Sequence, residues 1–193
     1  SIALEIHNNR KLVIPDLTKE IENILHELGM INSKFKINLL FSDELYSNGR
    51  DTIEFEFLAN KGYEFKKIKE AASGGEMSRI MLAIKSIMAK YKKLPSIIFD
   101  EIDTGVSGEI SQKIGNIMKQ MSRKMQIFTI THLPQIAAKG ESHYKVLKTQ
   151  ENQKTITNMV KLTSEERIVE IATMLEGDKI SASAVAHAKQ LLN

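Results

Sequence analysis

Pro95-Ser96-Ile97-Ile98-Phe99-Asp100-Glu101 is a short apolar run closed by two acids. A run of this length without alternation is the pattern of a strand buried on both faces of a sheet. Ile127-Phe128-Thr129-Ile130 repeats the pattern and ends at Thr131-His132. Between the two, Ile110, Ile114, Ile117 and Met121 recur at helical spacing. Before the first, Met77, Ile80, Met81, Ile84, Ile87 and Met88 make a broad helical face. The order helix, strand, helix, strand predicts a βαβ unit, an α/β fold and a parallel sheet covered on both faces.

Upstream, Lys36–Phe41 and Ile53–Phe57 read as two strands. In the second, Ile53, Phe55 and Phe57 alternate with Glu54 and Glu56, as a half-buried strand requires. Ser47-Asn48-Gly49 supplies turn chemistry between them, so a hairpin is expected. A loop is expected from Asn60-Lys61-Gly62 to about residue 72. At the N-terminal end Leu17, Ile21, Ile24, Leu25 and Leu28 share a helical face that stops at Gly29. Ile2, Ile6 and Val13, with Asn9 among them, leave a heptad-like trace, which Pro15 is expected to interrupt. Downstream, strands are expected over Tyr144–Leu147 and Thr155–Leu162 around an Asn152 turn. Thr163 and Glu166 form a capping box for a helix to about Leu175, Gly177-Asp178 breaks it, and Ala182–Leu192 is a last helix.

The 193 residues suffice for one compact domain or two small ones. A net charge of +3 is too small to argue for nucleic-acid binding, and 42% apolar with 26% charged residues argues against disorder. The absence of cysteine excludes disulfides and cysteine-ligated zinc or iron–sulfur sites. No apolar run reaches the roughly 18 residues of a membrane span, and no leader pattern is present, so a soluble cytoplasmic domain is expected. Because the first residue is Ser1, not Met, the chain is expected to be cut from something longer or processed.

Three places could carry chemistry. Ser73-Gly74-Gly75-Glu76 is a capping box, which by itself only starts a helix well. Its two glycines cost backbone entropy, and they let an anion approach the unpaired N–H groups of a helix N-terminus. Asp100 and Glu101 end a strand, where open α/β sheets place their ligands. An Asp there can hold magnesium through water, and a neighbouring Glu can polarise an attacking water; two solvated acids would look the same. A lone histidine is usually structural, but His132 would emerge beside the acids if the two strands are adjacent and parallel.

Together these stretches resemble the ABC-type ATPases. Ala72-Ser73-Gly74-Gly75-Glu76-Met77-Ser78-Arg79 is similar to their signature motif. Pro95 to Glu101 is similar to the Walker B strand with its catalytic glutamate, and Thr131-His132 to the switch histidine. Within that superfamily the chain resembles the RecN family of bacterial SMC-like repair ATPases. The carriers are Ser73 to Ala83, Asp100-Glu101-Ile102-Asp103-Thr104-Gly105-Val106-Ser107-Gly108 and Thr131-His132-Leu133-Pro134-Gln135-Ile136-Ala137. Asn60-Lys61-Gly62 and Ala186-His187-Ala188-Lys189 agree as well. The resemblance spans nearly the whole chain.

It implies an α/β C-terminal lobe of an ABC/SMC-type ATPase head, with residues 1–30 the end of a coiled-coil arm and residues 31–193 the lobe. No Gly-x-x-x-x-Gly-Lys-Ser/Thr occurs, so the Walker A lobe is expected from another part of the protein. Ser107 stands where many SMC-like D-loops carry Asp. The implied site is composite and uses ATP and Mg2+. Asp100 would support the metal, Glu101 the attacking water and His132 the γ-phosphate. Ser73, Gly74, Gly75 and Glu76 would serve the nucleotide of the partner head in a homodimer, with Ser107 in the intervening loop. DNA is an implied partner of the full-length protein, and the implied location is the cytoplasm, at the nucleoid. Lys61, Lys66, Lys67 and Lys69, with Lys90, Lys92 and Lys93, are candidate phosphate contacts or plain solvated surface. Two other readings stay open: a stand-alone Mg-dependent phosphohydrolase or nuclease, and a non-enzymatic module that docks through residues 1–30.

Overall fold

The computed structural model describes the chain except Glu101, Thr104, Ser107, Asn152, Gln153 and Asp178, and the side chains of Glu151 and Lys154. The chain divides into two compact units, one built on Ser1–Lys93, the other on Leu94–Asp103 and residues 108–193.

The first unit opens with α1 (Ile2–Glu27), followed by the hairpin strands β1 (Lys34–Tyr46) and β2 (Gly49–Leu58). The strands pair antiparallel, with Phe35 opposite Phe57, and Gly49 takes the positive φ of +116° that the turn demands. Both strands are longer than the alternating stretches predict. The expected loop after Gly62 holds more structure. A two-residue strand, β3 (Lys66–Lys67), pairs antiparallel with β2, and a single helical turn, α2 (Ile68–Ala71), follows. Two lysines carry no apolar pattern, so only the neighbouring edge of β2 makes them a strand. The long helix α3 (Gly74–Tyr91) completes the unit. Ile21 and Leu25 of α1, Phe35, Phe57, and Ile80, Ala83 and Ile87 of α3 form one core. Each large side chain removed from water there stabilises by roughly 1.5–3 kcal/mol.

Pro15 does not interrupt α1, contrary to expectation. A helical proline removes one hydrogen bond, to the carbonyl four residues earlier. Lys11 and Pro15 are both exposed, so water can satisfy that carbonyl. The helix is anchored on both sides of the gap, by Ile21 and Leu25 in the core and by His7 and Arg10 at Asp51.

The second unit contains the parallel pair β4 (Ser96–Asp100) and β5 (Gln126–Ile130), joined through α4 (Gly108–Ser122). This is the predicted βαβ unit. Ile97 and Phe99 are buried, together with Ile114, Met118 and Met121 of α4. The opposite face is not covered, which corrects the expectation of a sheet buried on both sides. Ile98 is 65% exposed, Phe128 47% and Ile130 60%. The apolar composition of the strands registers a demand for burial that the described residues meet on one face only. After β5 come α5 (Pro134–Ala137), the antiparallel strands β6 (Tyr144–Glu151) and β7 (Lys154–Lys161), and the helices α6 (Ser164–Glu176) and α7 (Ala182–Leu192). The expected Asn152 turn and Asp178 lie outside the described residues. Thr163 and Glu166 make both bonds of the capping box, and α6 and α7 pack through Ile171, Ala172, Ala184 and Ala188. No helix among the described residues is long and apolar enough to cross a membrane.

Candidate functional site

The register of β4 with β5 sets Asp100 opposite Ile130. Two parallel strands in register release their chains at the same sheet edge, so Asp100 and His132 emerge together there. Asp100 is exposed and has no ion-pair partner among the described residues. Glu101 and Ser107 lie outside the described residues. No group of three or more His, Asp or Glu side chains able to hold a metal ion occurs among the described residues.

The residue that joins the two strand tips was not singled out in the sequence. Asp103 is 2% exposed, in the turn that follows Asp100. Its Oδ2 accepts a short hydrogen bond from the Thr131 hydroxyl and a 3.2 Å bond from the His132 backbone N–H. His132 Nδ1 lies 3.4 Å from the same oxygen. The Thr131 hydroxyl oxygen in turn accepts from the Leu133 N–H at 3.0 Å. In the sequence Asp103 appears only as one member of the Asp100–Gly108 stretch, with no role of its own; its spacing from residues 131 and 132 carries no signal.

The other candidate group sits in the first unit. Ser73 is in extended conformation at the N-cap of α3. Glu76 Oε2 accepts from the Ser73 N–H at 2.8 Å, and Ser73 Oγ accepts from the Glu76 N–H at 3.4 Å. The box therefore uses the N–H groups of residues 73 and 76 and leaves those of Gly74 and Gly75, which are among the four that every helix start leaves unpaired. A Cβ at Gly74 would meet no heavy atom within 4 Å, so the space beside that residue is open. With the helix dipole behind them, they suit an anion. Arg79, one turn on, is partly buried; burial pulls its guanidinium below its usual value, and Glu76 works against that.

A second unforeseen polar group, Asp51, is buried against α1. His7 Nδ1 lies 2.6 Å from Oδ1, and Arg10 donates to Oδ2 at 2.8 Å and to the Asn48 carbonyl at 2.8 Å. Burial alone would raise the Asp51 carboxyl, but the hydrogen bonds from His7 and Arg10 outweigh it and hold it below its usual range. Of the candidate DNA contacts, Lys67 is ion-paired with Glu54 and Lys90 with Glu20.

No family model matches the chain. The DNA repair protein RecN of Vibrio cholerae is 38% identical over 192 residues, 98% of this chain and 34% of that protein. This is a RecN-like sequence with an SMC-type head fold. RecN of Bacillus subtilis is 34% identical over 94% of the chain, again 34% of its own length. The RecN-like chain thus spans about a third of the length of the curated relatives it matches. Among solved structures, the Smc head domain of Pyrococcus yayanosii, with a coiled coil and joint, superposes with a TM-score of 0.63 at 22% identity, over 86% of this chain and 30% of that one. A chain studied for ATP-driven dimerization and DNA-stimulated activation of SMC ATPases gives a TM-score of 0.57 at 20% identity, over 90% of this chain and 99% of that one.

Proposed function

We propose that the chain is the C-terminal part of a RecN-like ATPase acting in DNA double-strand-break repair and recombination. Residues 1–30 form the end of a coiled-coil arm, and residues 31–193 the lobe that brings the signature and Walker B motifs. The observation that carries this reading is the half-covered parallel pair. Asp100 stands at the tip of a sheet whose outer face exposes Ile98, Phe128 and Ile130. Parallel sheets are covered on both faces in folded proteins, and the RecN relatives have chain enough to supply the cover. That cover is the lobe with the Walker A loop, and without it the chain is close to inert.

ATP is held chiefly by the added lobe. An exposed carboxylate at a strand tip, with no ion-pair partner among the described residues, fits magnesium, which takes oxygen ligands, keeps several waters and rests on one or two carboxylates and the phosphates. Asp100 would hold it; when bound, it supplies positive charge to the phosphate oxygens. Glu101 orients and deprotonates the attacking water, and His132 meets the γ-phosphate from the same edge. Ser73, Gly74 and Gly75 serve the nucleotide of the partner head, with Glu76 bracing the turn and Ser107 in the loop between heads. Phosphoryl transfer depends on positioning and electrostatics, so a site divided between two heads ties hydrolysis to dimerisation. DNA is the partner of the assembled protein in the cytoplasm. The test is Glu101→Gln in the full-length protein. ATP binding persists, dimers seen by light scattering outlast those of the parent, and phosphate release falls by at least about 100-fold. Unchanged turnover would remove Glu101 from the reaction.

A further inference from the structure

A buried carboxylate is retained where donors meet it, and leaving one of its oxygens unpaired is costly. Asp103 shows both conditions at once. Its side chain has no access to solvent, and among the described residues every donor it meets stands at the end of β5. Oδ2 takes the Thr131 hydroxyl and the His132 N–H and faces the His132 ring, while Oδ1 is buried with no partner. The His132 side chain is 73% exposed, and its ring meets no other hydrogen-bonding or charged group among the described residues. A carboxylate facing Nδ1 selects the orientation and protonation of an imidazole and leaves Nε2 to work on a ligand.

We propose that Asp103 is a positioning residue for His132: it draws Nδ1 inward, presents Nε2 at the sheet edge, and through Thr131 locks the turn after β5 to the turn after β4. This rests on the reading of His132 as the γ-phosphate contact. The clamp couples the two strand tips, so a nucleotide drawn to Asp100 finds the histidine already oriented.

The experiment uses the full-length protein, with ATP turnover and thermal unfolding measured on each variant. Asp103→Asn keeps an acceptor for Thr131 and the His132 N–H and removes the charge facing Nδ1. Its kcat is expected to fall at least about tenfold, the lower range for the outer partner of a working histidine, with KM for ATP and the unfolding temperature unmoved. Combined with His132→Ala, it adds no further loss, because the two act as one unit. An unchanged kcat, or losses that multiply in the double variant, overturns the proposal. If His132→Ala alone leaves turnover intact, the reading of His132 itself fails, and the positioning role falls with it. Should Asp103→Asn not fold, the Thr131 pair decides. Thr131→Ser, which keeps the hydroxyl, is expected to turn over at least about tenfold faster than Thr131→Val. Equal rates in that pair overturn the clamp.

Discussion

Replacing Ser73 by aspartate separates the two roles open to the turn before α3. As an N-cap, Asp serves as well as Ser. The cap bond to be preserved is a long one, 3.4 Å from Oγ to the Glu76 N–H, while the 2.8 Å bond runs from the Ser73 backbone N–H to the Glu76 carboxylate and does not use the Ser73 side chain. A carboxylate at the N-terminus of α3 gains about 0.3–1 kcal/mol from the helix dipole. Repulsion from the half-buried Glu76 carboxylate costs about the same. Stability should therefore stay within about 1 kcal/mol. A nucleotide sees the opposite effect. A new negative charge about 4 Å from a phosphate oxygen costs ~4 kcal/mol at an effective dielectric of 20. That is close to 1000-fold in rate. Circular dichroism, fluorescent-nucleotide binding and phosphate release on the full-length protein read the three quantities. Folding and ATP affinity are expected to hold while hydrolysis collapses. Hydrolysis at the parental rate would show that no phosphate comes near Ser73. Loss of ATP affinity in step with hydrolysis would place the turn at its own subunit's nucleotide.

Gly115 sits on α4 where an added Cβ would lie 3.0 Å from Lys139 Cγ and 3.2 Å from the Gln135 carbonyl. The backbone oxygen cannot yield as a side chain can, so Gly115→Ala should destabilise by about 1–3 kcal/mol in urea titration, despite alanine's better helix propensity. A raised midpoint would show that α4 has room beside α5. For Asp51, a carboxyl held below its usual range gives stability that is complete above the unfolded value near pH 3.8 and is lost as pH falls through the lowered one. Asp51→Asn removes that contribution, so its denaturation midpoint should lie below the parent's at pH 7 and approach it in acid. Parallel curves from pH 7 to 3 would mean another group titrates.

The capping boxes at Ser73 and Thr163 were legible in the sequence because an N-cap is a local device, with both partners within three residues. The parallel pair was legible because buried strands spell themselves in unbroken apolar runs. With in-register pairing, those runs already imply that Asp100 and His132 share an edge. The continuity of α1 through Pro15 was hidden, since Asp51, which holds its first turns through His7 and Arg10, lies 44 and 41 residues from them. β3 was hidden for the same reason: its strand state belongs to β2 as much as to itself.

What the sequence alone determined is the set of reactive groups and the elements that carry them, because helix caps, strand ends and glycine turns are written in neighbouring residues. The tertiary structure decided which of those groups touch. The aspartate at 103 and the pair at 131 and 132 are separated by 28 and 29 residues. Only the closure of β5 alongside β4 brings them within bonding distance, and buried polar groups take their meaning from that closure.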